Sequence, residues 1–204
     1  MKLSPEYDAS PSFTPHIFPG DEAKVAMRIA NLLSGCFQKI PNYRPVVFVC
    51  IGTDRSTGDS LGPLVGSRLK KYNFSDITLY GTLEFPVHAM NLSETVSEIK
   101  RDHNDPFIVG IDACLGQLAS VGNVKVSPGP LKPGAGVNKE LPEVGHMHIT
   151  GIVNVGGFME YFVLQNTRLN LVFNLAEVIA KAIYLSLLHC GRITLFSSPA
   201  LSRE

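Results

Sequence analysis

The 204-residue sequence lacks any block of basic or acidic residues: 18 Lys and Arg stand against 18 Asp and Glu, a formal net charge of zero. A surface without a run of either sign offers no footprint for a nucleic-acid backbone or an anionic membrane, so neither is expected as a partner. Its four cysteines, Cys36, Cys50, Cys114 and Cys190, form no CxxC pair. That spacing argues against a zinc knuckle or a thioredoxin-type redox site and leaves the thiols as small core hydrophobes of a reducing compartment. The opening stretch MKLSPEYDASPSFTPHIF lacks the continuous apolar segment of a signal peptide, and a cytoplasmic location is expected.

Long hydrophobic runs are also scarce. LNLVFNLAEVIAKAIYLSLLHC approaches the length of a membrane span, but Asn170, Asn174, Glu177 and Lys181 recur at helical spacing on one face. Val172, Leu175, Ile179, Ala182 and Ile183 fall on the other, which predicts an amphipathic helix packed on a core. With 45% apolar and 18% charged residues, the chain suits one sizeable core. The expected organisation is an irregular, proline-bearing arm over residues 1–19 and a single domain over 20–204.

Within that domain DEAKVAMRIANLLSGCF predicts a first helix capped by Asp21, and PVVFVCI a strand buried on both faces. SLGPLVGSRLKKY suits a helix, DITLYGTL a second strand, AMNLSETVSEIKRD a helix and PFIVGIDAC another buried strand. SVGNVKVSPG reads as a strand, then a Gly/Pro-rich loop runs through Gly145, followed by a shorter strand around HMHITGIVN and two closing helices. Alternation of strand and helix implies right-handed parallel crossovers. The fold class expected is α/β, a three-layer α/β/α sandwich around a mostly parallel sheet.

One loop holds the chemistry: GTDRSTGDSLGP, Gly52 to Pro63, at the carboxyl end of the first buried strand. It lacks the lysine that follows the last glycine of a P-loop, having Asp59 there instead, and it is no GxGxxG fingerprint. Asp59 alone could simply cap the following helix. Asp112, however, ends PFIVGIDAC at the same edge of the sheet, where ligands of open α/β sheets bind. Two carboxylates there could share a proton, one acting as acid while the other activates water, or could hold a divalent metal if a third ligand approaches. His146 and His148 point to one face if GHMHITG is a strand, and His88, with Glu84 nearby, is a further candidate; each is otherwise a hydrogen-bonded structural histidine. Arg55 could clamp a carboxylate or an oxyanion, or pair with Asp54, while Lys139 and Glu140 could contact substrate or be merely solvated. Ser56, Thr57 and Ser60 lack a G-x-S-x-G elbow, and Cys114 has no histidine beside it in sequence.

These segments resemble a known family. GTDRSTGDSLGP is similar to the G-N-x-x-x-T-P-D-A-L-G-P segment of the germination protease of endospore-forming bacteria, through Gly52, Thr57, Asp59, Leu61, Gly62 and Pro63. GIDACLG resembles its I-D-A-L-A stretch through Ile111, Asp112 and Ala113, and KPGAGVNKEL its H-P-G-S-G-V-G-N-K-R-x-E-L loop through Pro133, Gly134, Gly136, Val137, Asn138, Lys139, Glu140 and Leu141. As a whole the chain is most similar to the sporulation protein YyaC family, with a fold of the phosphorylase/hydrolase-like type found in hydrogenase maturation proteases. The resemblance implies a sporulation-associated peptidase acting on a protein or peptide substrate, with Asp59 and Asp112 as an aspartic-type catalytic pair and no resident cofactor. Asp54, Arg55, Gly136, Asn138 and Lys139 are the expected substrate contacts, and a homo-oligomer is compatible with this. The maturation proteases instead use the matching acidic pair, with a histidine, to bind nickel in their partner. A non-catalytic protein that binds a partner or a metal on the same fold is therefore the alternative. Thr53 and Gly58 depart from the germination pattern, which bears on substrate recognition more than on the carboxylates.

Overall fold

The computed structural model describes residues 11–72, 77–134 and 141–193. In chain order the elements are β1 (His16–Pro19), α1 (Val25–Phe37), β2 (Val46–Cys50), α2 (Leu61–Lys70), β3 (Ile77–Tyr80), α3 (Leu92–Asp102), β4 (Phe107–Gly116), β5 (Asn123–Pro128), β6 (Met147–Val155), α4 (Glu160–Gln165) and α5 (Leu169–His189). The six strands form one mixed sheet ordered β1-β5-β6-β4-β2-β3. β3, β2, β4 and β6 run parallel, whereas β5 and β1 join antiparallel at one edge.

Strand β2 explains why the sheet is covered on both faces. All five of its residues are buried, and they divide by parity. Val46, Phe48 and Cys50 enter a large core with α1, α2 and α5. Val47 and Val49 enter a smaller one with Leu92 and Ile99 of α3 and with Leu131 and Val144. A strand apolar at every position satisfies two helical layers at once. The resulting architecture is α/β and compatible with three layers.

α5 is 21 residues long and reaches a mean hydropathy of 1.8 over 18 residues, so by length and composition it could cross a membrane. Here Val172, Leu175, Ile179, Ala182 and Ile183 are buried in the core, while Asn170, Asn174, Glu177 and Lys181 are exposed, as the helical spacing predicts.

Three expectations are corrected. The arm expected to be irregular ends in β1, whose Phe18 is buried and which pairs with β5 from His16↔Val126 to Pro19↔Asn123. The first helix starts at Val25 rather than at Asp21: its N-cap is Lys24, in a left-handed conformation (φ 66°) and without a side-chain cap. Glycine would hold that conformation more cheaply, so local preference did not reveal the boundary. The strand around HMHITGIVN is not short: it runs from Met147 to Val155 and pairs with β4 from Val109 to Gly116.

Candidate functional site

Asp112 reaches the site because β4 continues past its buried half. Phe107, Val109 and Ile111 face the large core, so the alternate residues Ile108, Gly110 and Asp112 face the α3 side. Its ladder partner is Thr150 of β6. Gly110, one turn of the pleat below, leaves room where Leu131 crosses: a Cβ there would lie 3.0 Å from that of Leu131.

Asp59 is delivered by a tight return over the end of β2. Gly58–Ser60 form one turn of 3-10 helix leading into α2. The Asp59 carbonyl accepts the Thr53 N–H at 3.1 Å. Gly52 has φ 145°, and a Cβ on it would sit 1.9 Å from the Asp59 carbonyl oxygen. A Cβ on Gly62 would sit 2.0 Å from the carbonyl oxygen of Ile51. These two glycines let the loop and the first turn of α2 rest directly on β2. Asp59 does not cap α2, whose N-cap is Ser60 without a side-chain bond.

Both carboxylates line one cavity of about 340 Å³, with Thr53, His88, Lys132 and Glu160 among its other polar residues. Ile51, Leu115, Leu131, Leu141 and Leu164 supply apolar wall. This mixture of a mainly apolar lining and a few converging polar groups is typical of ligand sites. Burial pushes the Asp112 carboxyl up to about 8; the Ala113 N–H, donating to Oδ1 at 2.8 Å, opposes the rise, and the nearby Asp59 charge adds to it. Burial also raises Asp59, partly opposed by the neighbouring Ser56 hydroxyl. Ser56 Oγ is itself buried without a hydrogen-bond partner of normal geometry. Of the pair, Asp112 is therefore the carboxyl held protonated up to about pH 8, and the charge of Asp59 beside it strengthens that hold.

The structure does not bring every candidate here. Asp54 and Arg55 are exposed and outside the cavity wall. Gly136, Asn138, Lys139 and Glu140 lie outside the described residues. His146 faces away from the cavity lining: its Nδ1 accepts the Ile108 N–H at 3.0 Å and its ring stacks on Phe107. His148 lies 2.9 Å from the Gly129 carbonyl through Nδ1, and burial lowers its pKa. Of the three histidines singled out, only His88 lines the cavity. Among the described residues no three His, Cys, Asp or Glu side chains are grouped as a metal site. Cys114 also lines the cavity, but burial raises its thiol pKa, which keeps it protonated and a poor nucleophile.

Lys132, Thr150 and Glu160 are cavity residues that the sequence reading missed. Thr150 is the ladder partner of Asp112, a relation only strand register reveals. Glu160 follows Gly156 and Gly157 at the start of α4, a break that marks a turn but gives no direction.

Comparison with known proteins gives two matches. Residues 18–182 match the family model described as "Protein of unknown function (DUF1256)". A protein of Bacillus subtilis (strain 168) named "Uncharacterized protein YyaC" is 56% identical over 165 residues, covering 81% of this chain and 80% of the relative.

Proposed function

The chain belongs to the YyaC/DUF1256 family, and we propose that it is a peptidase-type hydrolase using Asp59 and Asp112 as an acid–base pair on a protein or peptide substrate. The observation that carries this reading is the shared cavity in which burial and the charge of Asp59 keep Asp112 protonated to about pH 8. Asp59 takes a proton from water as the water oxygen attacks the carbonyl carbon, and Asp112 gives its proton to the carbonyl oxygen. Collapse of the gem-diol returns that proton to Asp112, while Asp59 delivers its own to the amine nitrogen and the C–N bond breaks. The similarity of the three sequence segments to the germination protease supports the same assignment, and the hydrolase-like fold and sporulating-cell setting rest on that similarity alone.

The test is incubation with a proteome-derived peptide library, with new termini read by mass spectrometry. Wild type generates new termini, and Asp59→Asn or Asp112→Asn lowers their rate by about 10²–10⁴-fold, the usual worth of an acid or base group. Equal yields from wild type and both variants, or none from wild type, overturn the peptidase reading. Capture of a partner without cleavage is the second reading. It is favoured by the exposed Phe158, Met159, Tyr161 and Phe162 around α4, of which Tyr161 also lines the cavity.

A further inference from the structure

β3 is the sheet's outer strand on the parallel side: it pairs with β2, and among the described residues no strand covers its other edge. Edges of this kind are commonly protected by charge, proline or a bulge. β3 reads Ile77, Thr78, Leu79, Tyr80 and has neither charge nor proline.

Beside it runs a groove of about 640 Å³. Its lining shows where it lies relative to the sheet. Ile77 and Leu79 pack with the large core, and Tyr80 with the smaller core on the opposite face. A groove touching all three follows the strand's edge rather than either face. One wall comes from Lys70 at the end of α2, and the other from Thr95 of α3. The groove thus lies between the two helical layers, and at its rim the Lys70 ammonium is paired with Glu84 at 2.9 Å.

The groove has a direction. β3 is parallel to β2 and β4, so its carboxyl end lies at the sheet edge where Asp59 and Asp112 stand. Beyond β3 the chain turns, and Val87 forms a parallel bridge with Ile51 while its carbonyl accepts the Gly52 N–H at 2.8 Å. The next residue, His88, lines both the groove and the carboxylate cavity. Its position is held by its own N–H donating to Asn91 Oδ1 at 2.8 Å, and its Nδ1 accepts the Met90 N–H at 3.3 Å. Of the two ring nitrogens, Nε2 is therefore the one left to carry the proton of the neutral imidazole.

We propose that the β3 edge is a docking site for an extended, uncharged peptide segment, which adds to the sheet as a seventh strand and leads past His88 into the carboxylate cavity. The occupant is an extended backbone because, among the described residues, the outward amide and carbonyl groups of β3 have no strand to pair with, and because the groove lies between two helical layers rather than on an open face. Its side chains are apolar or small and polar, alternately meeting the Leu79 and Tyr80 sides. The proposal draws on the peptidase reading only for what the docked chain then meets.

The probe is the capped pentapeptide acetyl-Thr-Val-Thr-Leu-Thr-amide, titrated into ¹⁵N-labelled full-length Asp59→Asn protein and followed by amide chemical shifts. Two control peptides carry N-methyl groups on alternate amides, one in each register; both keep the side chains, and only the one methylated on the amides that face β3 cannot complete the ladder. The expected result is saturable shifts at residues 77–82 and 87–88, with at least tenfold weaker binding for one N-methylated register. Absence of shifts at β3 at millimolar peptide, or equal binding of all three peptides, overturns the proposal. Shifts at β3 that follow protein concentration without peptide identify a second copy as the occupant and also overturn it. Because the readout is binding to a variant impaired in the proposed chemistry, loss of the peptidase reading leaves this result unaffected. Conversely, cleavage by wild type with a silent β3 removes this inference alone.

Discussion

Asp112 stands opposite Thr150 on the ladder and within the field of Asp59, and the second relation bears on when the site can work. On the peptidase proposal, hydrolysis requires Asp112 protonated and Asp59 ionised. Activity therefore falls as pH rises through about 8, where Asp112 loses its proton, and falls on the acid side as Asp59, itself raised, gains one. The expected profile of kcat/KM is a bell, and Asp112→Asn leaves no alkaline limb attributable to this carboxylate. An alkaline limb at the same position in the residual activity of Asp112→Asn would assign it to another group. The meeting of the two aspartates at one sheet edge was legible in the sequence because Asp59 stands in the loop that follows one unmistakable buried strand and Asp112 in the second half of another. The roles of His146 and His148 were not, since they depend on Ile108 and Gly129, contacts made by residues distant in the chain.

At the scale of elements, α2 and its entry turn place Asp59 in the cavity only because glycine stands at two close contacts just past the end of β2, Gly62 on Ile51 and Gly52 on Asp59. An alanine at position 62 would place its Cβ 2.0 Å from the Ile51 carbonyl oxygen and 2.8 Å from the Ile51 nitrogen. Backbone cannot yield as a side-chain tip would, so Gly62→Ala must lift the first turn of α2 off the strand. A loss of about 1–3 kcal/mol is expected from overpacking, measured by urea unfolding. Cleavage should fall further than stability, because the same shift moves Asp59. Gly129→Ala is the matching control for crowding, since that glycine meets nothing within 4 Å, although its φ of 81° still carries a backbone cost. The strands and long helices were readable from apolar periodicity, but β1 was hidden. A four-residue edge strand with one buried residue leaves almost no pattern, and its partner β5 lies more than a hundred residues away.

For the molecule as a whole, the carboxylate pair is a source of instability that the two cores must offset. Free Asp has a pKa near 3.9 when unfolded, whereas Asp112 in the fold is raised to about 8. Between those values the folded chain binds a proton that the unfolded chain has released, so stability declines as pH rises through that window. The slope from one such proton approaches about 1.4 kcal/mol per pH unit, and the raised Asp59 adds in the same direction at the acid end. Wild type should therefore be most stable, as far as this pair is concerned, at the acid end of the interval. Asp112→Asn, neutral at every pH, removes that slope and should exceed wild type in urea midpoint by a margin that widens from pH 5 to pH 8. Parallel pH dependences for wild type and variant would show that Asp112 is not the group held protonated. On the peptidase proposal, this cost to stability accompanies a chemical role for the buried carboxyl, a combination that recurs at functional sites.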